Sequence, residues 1–342
     1  MTLRKMELIL HIGYHRTGTS AIQNFLWENR QVLAKHGVLY PEFPWAGPTH
    51  FELALSFNSP ARQAANAVML PPAKKSPYNF IPTHSPAERW TELAQVAKAA
   101  GLPKVVVSTE CFLEWLDPAL VAQTIDTKLF IPKIKVYLRP QADWLESVYA
   151  QVIKDREFRW HHGMARLPQN SQLDYAATIN QWAKAFGSKA IQLDIYHAPQ
   201  DPADLSKRFL TEIGAEAAIK DPAIKFSQKV NASLSPEATL VLKQLNRYDM
   251  NDPLHYQALE LLREIEPQIP QNPKARLLTR QAWWQLNSAQ AKGNQELAKQ
   301  FLHRPDLFPD VYEPAEFIEP EFYPWARDWV LNRLMSEHRD PY

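Results

Sequence analysis

The stretch LILHIGYHRTGTSAIQNFLWENR, residues 8–30, sets Gly13 and Gly18 at the spacing of a phosphate-gripping loop, with Thr19 and Ser20 directly after. The usual pattern is Gly-x-x-x-x-Gly-Lys followed by Ser or Thr, and its lysine reaches the β- and γ-phosphates of a nucleoside triphosphate. Here the lysine position is Thr19, and a cation stands three residues earlier, at Arg16. Backbone N–H groups of such a turn, and of the helix it opens, converge on one spot where the helix dipole favours an anion. Thr17, Thr19 and Ser20 add hydroxyl donors, and Arg16 adds a planar fork. Without the lysine, the loop suits a phosphate that is bound without a metal ion.

Such a loop needs a strand before it and a helix after it. The apolar run ELILHIG, ending in Gly13, predicts a buried parallel strand. Ala21, Ile22, Phe25 and Leu26 recur at helical spacing behind the loop. KHGVLYP, KVVVSTE, IKVYLR and, more weakly, AIQLDIY read as four further strands. Between them, SPAERWTELAQVAKAAG opens with Ser85 as N-cap, Pro86 at the first helical position and Glu88 completing a capping box, and Gly101 ends it. Strands alternating with helices predict an α/β fold, a three-layer α/β/α core of the P-loop NTPase type around a parallel sheet of about five strands.

Residues 41–84 are rich in proline and predict irregular chain with one short helix, HFELALSF; a loop this long is of the kind that carries function. After about residue 230 the strand signal stops. SPEATLVLKQLNRY, LHYQALELLREI, ARLLTRQAWWQLNSAQAK and EPEFYPWARDWVLNRLMSEH all read as helices. The expected division is a core over 1–230 and a helical C-terminal extension over 231–342, packed on that core.

The 342 residues carry a formal net charge of +1, so no global field argues for nucleic acid or for a membrane surface, and any anion site must be local. The single cysteine, Cys111, rules out an intramolecular disulfide and a cysteine-based metal cage. No apolar run approaches the roughly 20 residues that span a bilayer, and the expected location is the cytoplasm.

Tyr14-His15-Arg16-Thr17-Gly18-Thr19-Ser20 resembles the 5′-phosphosulfate loop of the sulfotransferases that use 3′-phosphoadenosine 5′-phosphosulfate (PAPS). In that family a basic residue precedes Thr-Gly-Thr/Ser-Thr/Ser, and this chain departs from it in carrying Arg16 where Lys is usual. IKVYLRPQADWLESVYAQVIK resembles the family's 3′-phosphate motif, with Arg139 at a strand end and Ser147 eight positions on in the next helix. An arginine fork and a helix hydroxyl can converge on one terminal phosphate. QKVNASLS, residues 228–235, resembles a late loop of bacterial relatives and offers Lys229 to the nucleotide, while Ser235 and Pro236 also read as a helix start.

The resemblance implies a sulfuryl transfer from PAPS to a hydroxyl acceptor, leaving adenosine 3′,5′-bisphosphate, with no metal ion. The similarity to bacterial carbohydrate-type sulfotransferases implies a carbohydrate or glycolipid acceptor. It implies donor contacts from His15, Arg16, Thr17, Gly18, Thr19, Ser20, Arg139, Ser147 and Lys229, with Arg16 on the transferring group. The acceptor hydroxyl must lose a proton as it attacks, so a base within hydrogen-bond reach is required. Glu110, at the end of VVVSTE, is the first candidate, because open α/β sheets place their sites at strand carboxyl ends. His50, in GPTHFELA, is the second. Two other readings stay open: a P-loop kinase, which would require Mg-nucleotide, and a non-catalytic nucleotide- or glycan-binding module of the same fold.

Overall fold

The computed structural model describes residues 4–43, 47–57, 84–113, 116–155, 158–164, 173–197, 201–227, 233–309 and 316–337. Five strands form one parallel sheet: β1 (Met6–His11), β2 (Val38–Leu39), β3 (Lys104–Ser108), β4 (Phe130–Leu138) and β5 (Ile191–Ile195), in the order β2-β3-β1-β4-β5. All five expected strands form, although KHGVLYP contributes only two residues at the sheet edge. β1 is central because its residues are apolar on both faces. Leu8, Leu10 and Ile12 enter one core and Ile9 the other.

Helices cover both faces, as the alternating pattern predicts. On one side, α1 (Thr19–Glu28) and α2 (Arg30–Lys35) lie over Ile9 and Val106 with Ile22, Phe25, Leu26 and Leu33. On the other, α4 (Pro86–Ala100) and α5 (Pro118–Thr124) pack Trp90, Leu93 and Val121 against Leu8, Val105 and Val136. α3 (Phe51–Leu55) is the short helix foreseen in the proline-rich stretch; residues 44–46 and 58–83 of that stretch lie outside the described residues. α4 carries the expected capping box, with the Ser85 hydroxyl accepting from the Glu88 amide and the Glu88 carboxylate accepting from the Ser85 amide.

Leaving β4, the chain forms α6 (Gln141–Lys154), then α7 (Tyr175–Phe186) before β5 and α8 (Asp204–Glu212) after it. α7 joins the α4 layer through Ile179 and Trp182, and α8 the α1 layer through Leu205 and Phe209, completing three layers. Each fully buried side chain of this size contributes about 1.5–3 kcal/mol.

The C-terminal helices are α9 (Pro236–Leu245), α10 (Asp252–Ile265), α11 (Arg280–Leu297) and α12 (Pro324–Glu337). α9, α10 and α12 share a core with Tyr149 and Ile153 of α6, and α11 packs Trp283 with Ala142 of the same helix. Asn246 Nδ2 donates to the Ile153 carbonyl at 2.7 Å, one of the orphan carbonyls that every helix end leaves. Arg276 holds Asp143 at 2.6 Å and Glu146 at 3.0 Å. Gln141 and Asn294 exchange amide hydrogen bonds at 2.7 and 3.1 Å. The helical region therefore grips α6, the helix that carries Ser147.

Candidate active site

The loop from Ile12 to Gly18 follows β1 at the carboxyl edge of the sheet, where neighbouring strands depart to opposite sides. Gly18 has φ 79° and begins α1 without a side-chain cap. Six other helices have such a cap, from Ser85, Asp117, Asp174, Ser235, Asn251 and Thr279. The first N–H groups of α1 have no intrahelical acceptor, so they are left for an anion. Arg16 also has a positive φ, 66°, a left-handed conformation that costs a non-glycine residue about 1 kcal/mol. Neighbouring side chains hold the turn. Thr17 Oγ1 donates to the Tyr14 carbonyl at 2.6 Å, Trp144 Nε1 to the His15 carbonyl at 2.8 Å, and Arg139 Nη1 to the Arg16 carbonyl at a long 3.5 Å.

The side chain of Arg16 crosses to α6. Its Nε donates to Ser147 Oγ at 2.9 Å, Nη1 to Gln151 Oε1 at 3.2 Å and Nη2 to Ser233 Oγ at 3.4 Å. These acceptors are neutral, and among the described residues no carboxylate pairs with this guanidinium. Burial lowers the Arg16 pKa, and so does the Arg139 charge, with Tyr196 opposing. Burial also lowers the pKa of Lys154, followed by the charges of Arg16 and Arg263. Arg139 sits over the Tyr196 ring at 5.8 Å. Two segments 131 residues apart thus meet in one cluster of crowded positive charge with hydroxyl and amide groups around it.

Glu110 lies beside α1. Its Oε1 accepts from Thr19 Oγ1 at 2.5 Å and its Oε2 from Gln23 Nε2 at 3.0 Å. Burial pushes this carboxyl upward, but the His15 charge and the two hydrogen bonds outweigh it and hold the group below the usual carboxylate range. Glu110 is therefore ionised at neutral pH, and its two oxygens keep further lone pairs for an incoming hydroxyl.

His50 is placed differently. It is buried, its Nδ1 accepts from the Ser108 amide at 3.1 Å, and its Nε2 bonds the Pro41 carbonyl at 3.0 Å. Both ring nitrogens are used by the backbone, which fixes a neutral Nε2–H tautomer, and burial pulls the pKa down to about 4. Ser20 is exposed on the first turn of α1. Lys229 lies outside the described residues.

Sequence reasoning passed over three residues here. Gln23 and Gln151 carry no motif, and only helical spacing could have pointed to them: Gln23 is one turn beyond Thr19, and Gln151 one turn beyond Ser147. His11, the last residue of β1, bonds Ser108 Oγ through Nδ1 at 2.7 Å, and burial holds its pKa at about 4. It ends an apolar run and read as strand alone. Among the described residues no cluster of three or more histidine, cysteine or acidic side chains could hold a metal ion, and no helix is long and apolar enough to cross a membrane.

No family model matches the chain. An uncharacterized protein of Archaeoglobus fulgidus is 28% identical over 143 residues, 42% of this chain, and the chain spans 38% of that relative's length. Among solved structures, a sulfotransferase from Alicyclobacillus acidocaldarius aligns with 72% of this chain and 98% of its own, at 15% identity and a TM-score of 0.35.

Proposed function

We propose that this chain is a sulfotransferase that moves a sulfuryl group from PAPS to a hydroxyl acceptor, a carbohydrate or glycolipid in a cytoplasmic setting. One observation carries the reading: the loop cation Arg16 lies 2.9 Å from Ser147, so the two motifs that should grip opposite ends of a bisphosphorylated nucleotide share one site. The uncapped start of α1, with Gly18, Thr19 and Ser20, takes the 5′ end, with Thr17 and His15 shaping the turn. Arg139 and Ser147 take the 3′-phosphate, and Lys229 is assigned to the nucleotide from the sequence resemblance alone. Arg16 serves both ends, its backbone in the loop and its guanidinium on α6, with its charge available to the transferring group as the bond to the phosphate breaks.

In the transfer, the acceptor oxygen forms the new bond to sulfur and the sulfur–oxygen bond to the bisphosphate breaks. The acceptor proton passes to Glu110. The sulfuryl group carries one negative charge, so arginine and backbone amides suffice where a phosphoryl group needs magnesium. Glu110 is preferred to His50 as base because the lone pair of His50 is already given to the Ser108 amide. Residues 1–230 form the donor-binding core in this reading, and 231–342 brace α6.

The test is calorimetric titration with adenosine 3′,5′-bisphosphate, and with ATP in the presence and absence of Mg²⁺. The expected result is metal-independent binding of the bisphosphate, weakened about 10- to 100-fold by Arg139→Ala, as the loss of a charge-assisted contact predicts. Preference for Mg-ATP, or no binding of the bisphosphate, refutes the reading.

A further inference from the structure

Glu110 is an acidic group beside the loop, and the way it is held goes beyond its choice as a base. Gln23 is buried on α1, one turn after Thr19, so both side chains leave the same face of the helix. Each takes one oxygen of the carboxylate: Thr19 Oγ1 is 2.5 Å from Oε1 and Gln23 Nε2 is 3.0 Å from Oε2. Gly13 completes the arrangement. A Cβ at Gly13 would lie 2.4 Å from Thr19 Cγ2 and 3.8 Å from Glu110 Cγ. The bare glycine lets Thr19 lay its methyl on the loop and turn its hydroxyl to Glu110. The clamp thus has three parts, on the loop, on α1 and in the turn after β3.

We propose that Gln23 is a positioning residue: with Thr19, and with the space left by Gly13, it fixes the Glu110 carboxylate in one orientation at the mouth of the phosphate loop. The inference rests on the reading of Glu110 as base. Gln23 touches neither donor nor acceptor, and acts only through Glu110. Donated hydrogen bonds favour the charged form of a carboxylate, so removing one raises its pKa. Among the described residues, the other titratable groups that face Glu110 are His15 from the loop, His11 from β1 and Tyr40 after β2. His15 favours the carboxylate form; burial lowers the pKa of His11 and raises that of Tyr40, and the Glu110 charge, a smaller effect, acts upward on both.

The experiment is a ¹³C NMR titration of the glutamate carboxyl groups in the full chain, with the Glu110 signal identified by its loss in Glu110→Gln. Gln23→Met keeps the side-chain volume and removes the donor; Thr19→Val removes the other donor and keeps the shape. Each is expected to raise the Glu110 midpoint by about one pH unit. The same shift in a His15→Gln background excludes an indirect effect through His15. A merely structural role for Gln23 would lower stability and leave the midpoint in place. An unmoved midpoint in Gln23→Met overturns the inference, and if that variant does not fold, an unmoved midpoint in Thr19→Val does so. Turnover by Glu110→Gln separates the two levels. An inactive Glu110→Gln with an unmoved titration overturns the positioning role and leaves the base in place. A moved titration with an active Glu110→Gln supports the clamp and overturns the base.

Discussion

Gly18→Ala tests the geometry of the loop directly. Gly18 stands at φ 79°, and an added Cβ would lie 2.3 Å from Leu205 Cδ2 and 3.0 Å from Tyr196 Cε2. Two costs follow. A left-handed conformation costs an L-residue about 1–2 kcal/mol. Leu205 is buried between α8 and α1, and an extra methyl in so packed a place costs about 1–3 kcal/mol. Alanine also stiffens the unfolded chain, which returns about 0.4–1 kcal/mol. The net expectation is a loss of about 1–4.5 kcal/mol of folding stability.

Gly101→Ala is the internal control. Gly101 ends α4 at φ 64°, with nothing within 4 Å of its added Cβ, so only the backbone cost applies, about 1 kcal/mol net. Urea unfolding at pH 7 reads both, with unchanged slopes showing that the midpoints report stability. Bisphosphate affinity should fall in Gly18→Ala, whose methyl disturbs the start of α1, and stay at the wild-type value in Gly101→Ala. Equal destabilisation of the two variants would refute the steric argument.

Two further predictions concern the frame around the site. His11 and His50 are held near pKa 4 in the folded chain, from an ordinary value of 6.5. Between about pH 4 and 6.5 the unfolded state binds protons that the folded state refuses. The contribution is therefore complete above pH 6.5 and is lost as the pH falls, at up to about 1.4 kcal/mol per pH unit for each histidine. Urea midpoints at pH 7, 6 and 5 should fall accordingly, and His11→Asn and His50→Asn should each flatten the trend; a wild-type midpoint constant over that range refutes it. On β4, the buried Lys135 pairs with Glu212 at 2.7 Å and with Asp194, while Tyr137 donates to Glu212 and Arg208 bonds it at 2.7 Å. Lys135→Met removes the buried cation and leaves the two carboxylates with Arg208 alone, which should cost about 3 kcal/mol by the same unfolding assay; a loss under about 1 kcal/mol would show that Arg208 balances them by itself.

Much of the frame was legible in the sequence because it depends on neighbours along the chain. Apolar runs of strand length became β1, β3 and β4, and Ser85, Pro86 and Glu88 capped α4 as their types dictate. Gly13 and Gly18, at φ 44° and 79°, supply the turn that only glycine makes cheaply. The loop, the strand-end arginine and the acidic residue after β3 could be singled out for the same reason. The helix α11 begins later than its apolar pattern suggested, at Arg280, because Thr279 caps it there.

What the sequence could not determine is which side chains meet across the fold. That Arg16 reaches Ser147 depends on β1 and β4 lying side by side, a pairing set by burial of whole strands and not by any local signal. That Glu110 is clamped by Gln23 depends on how α1 sits over the end of β3. His50 read as a free base in a loop, and the fold spends both its nitrogens on backbone groups of Ser108 and Pro41. Local propensity decides where elements form, whereas a polar side chain takes whatever partner packing brings within about 3 Å, and only the tertiary structure decides that.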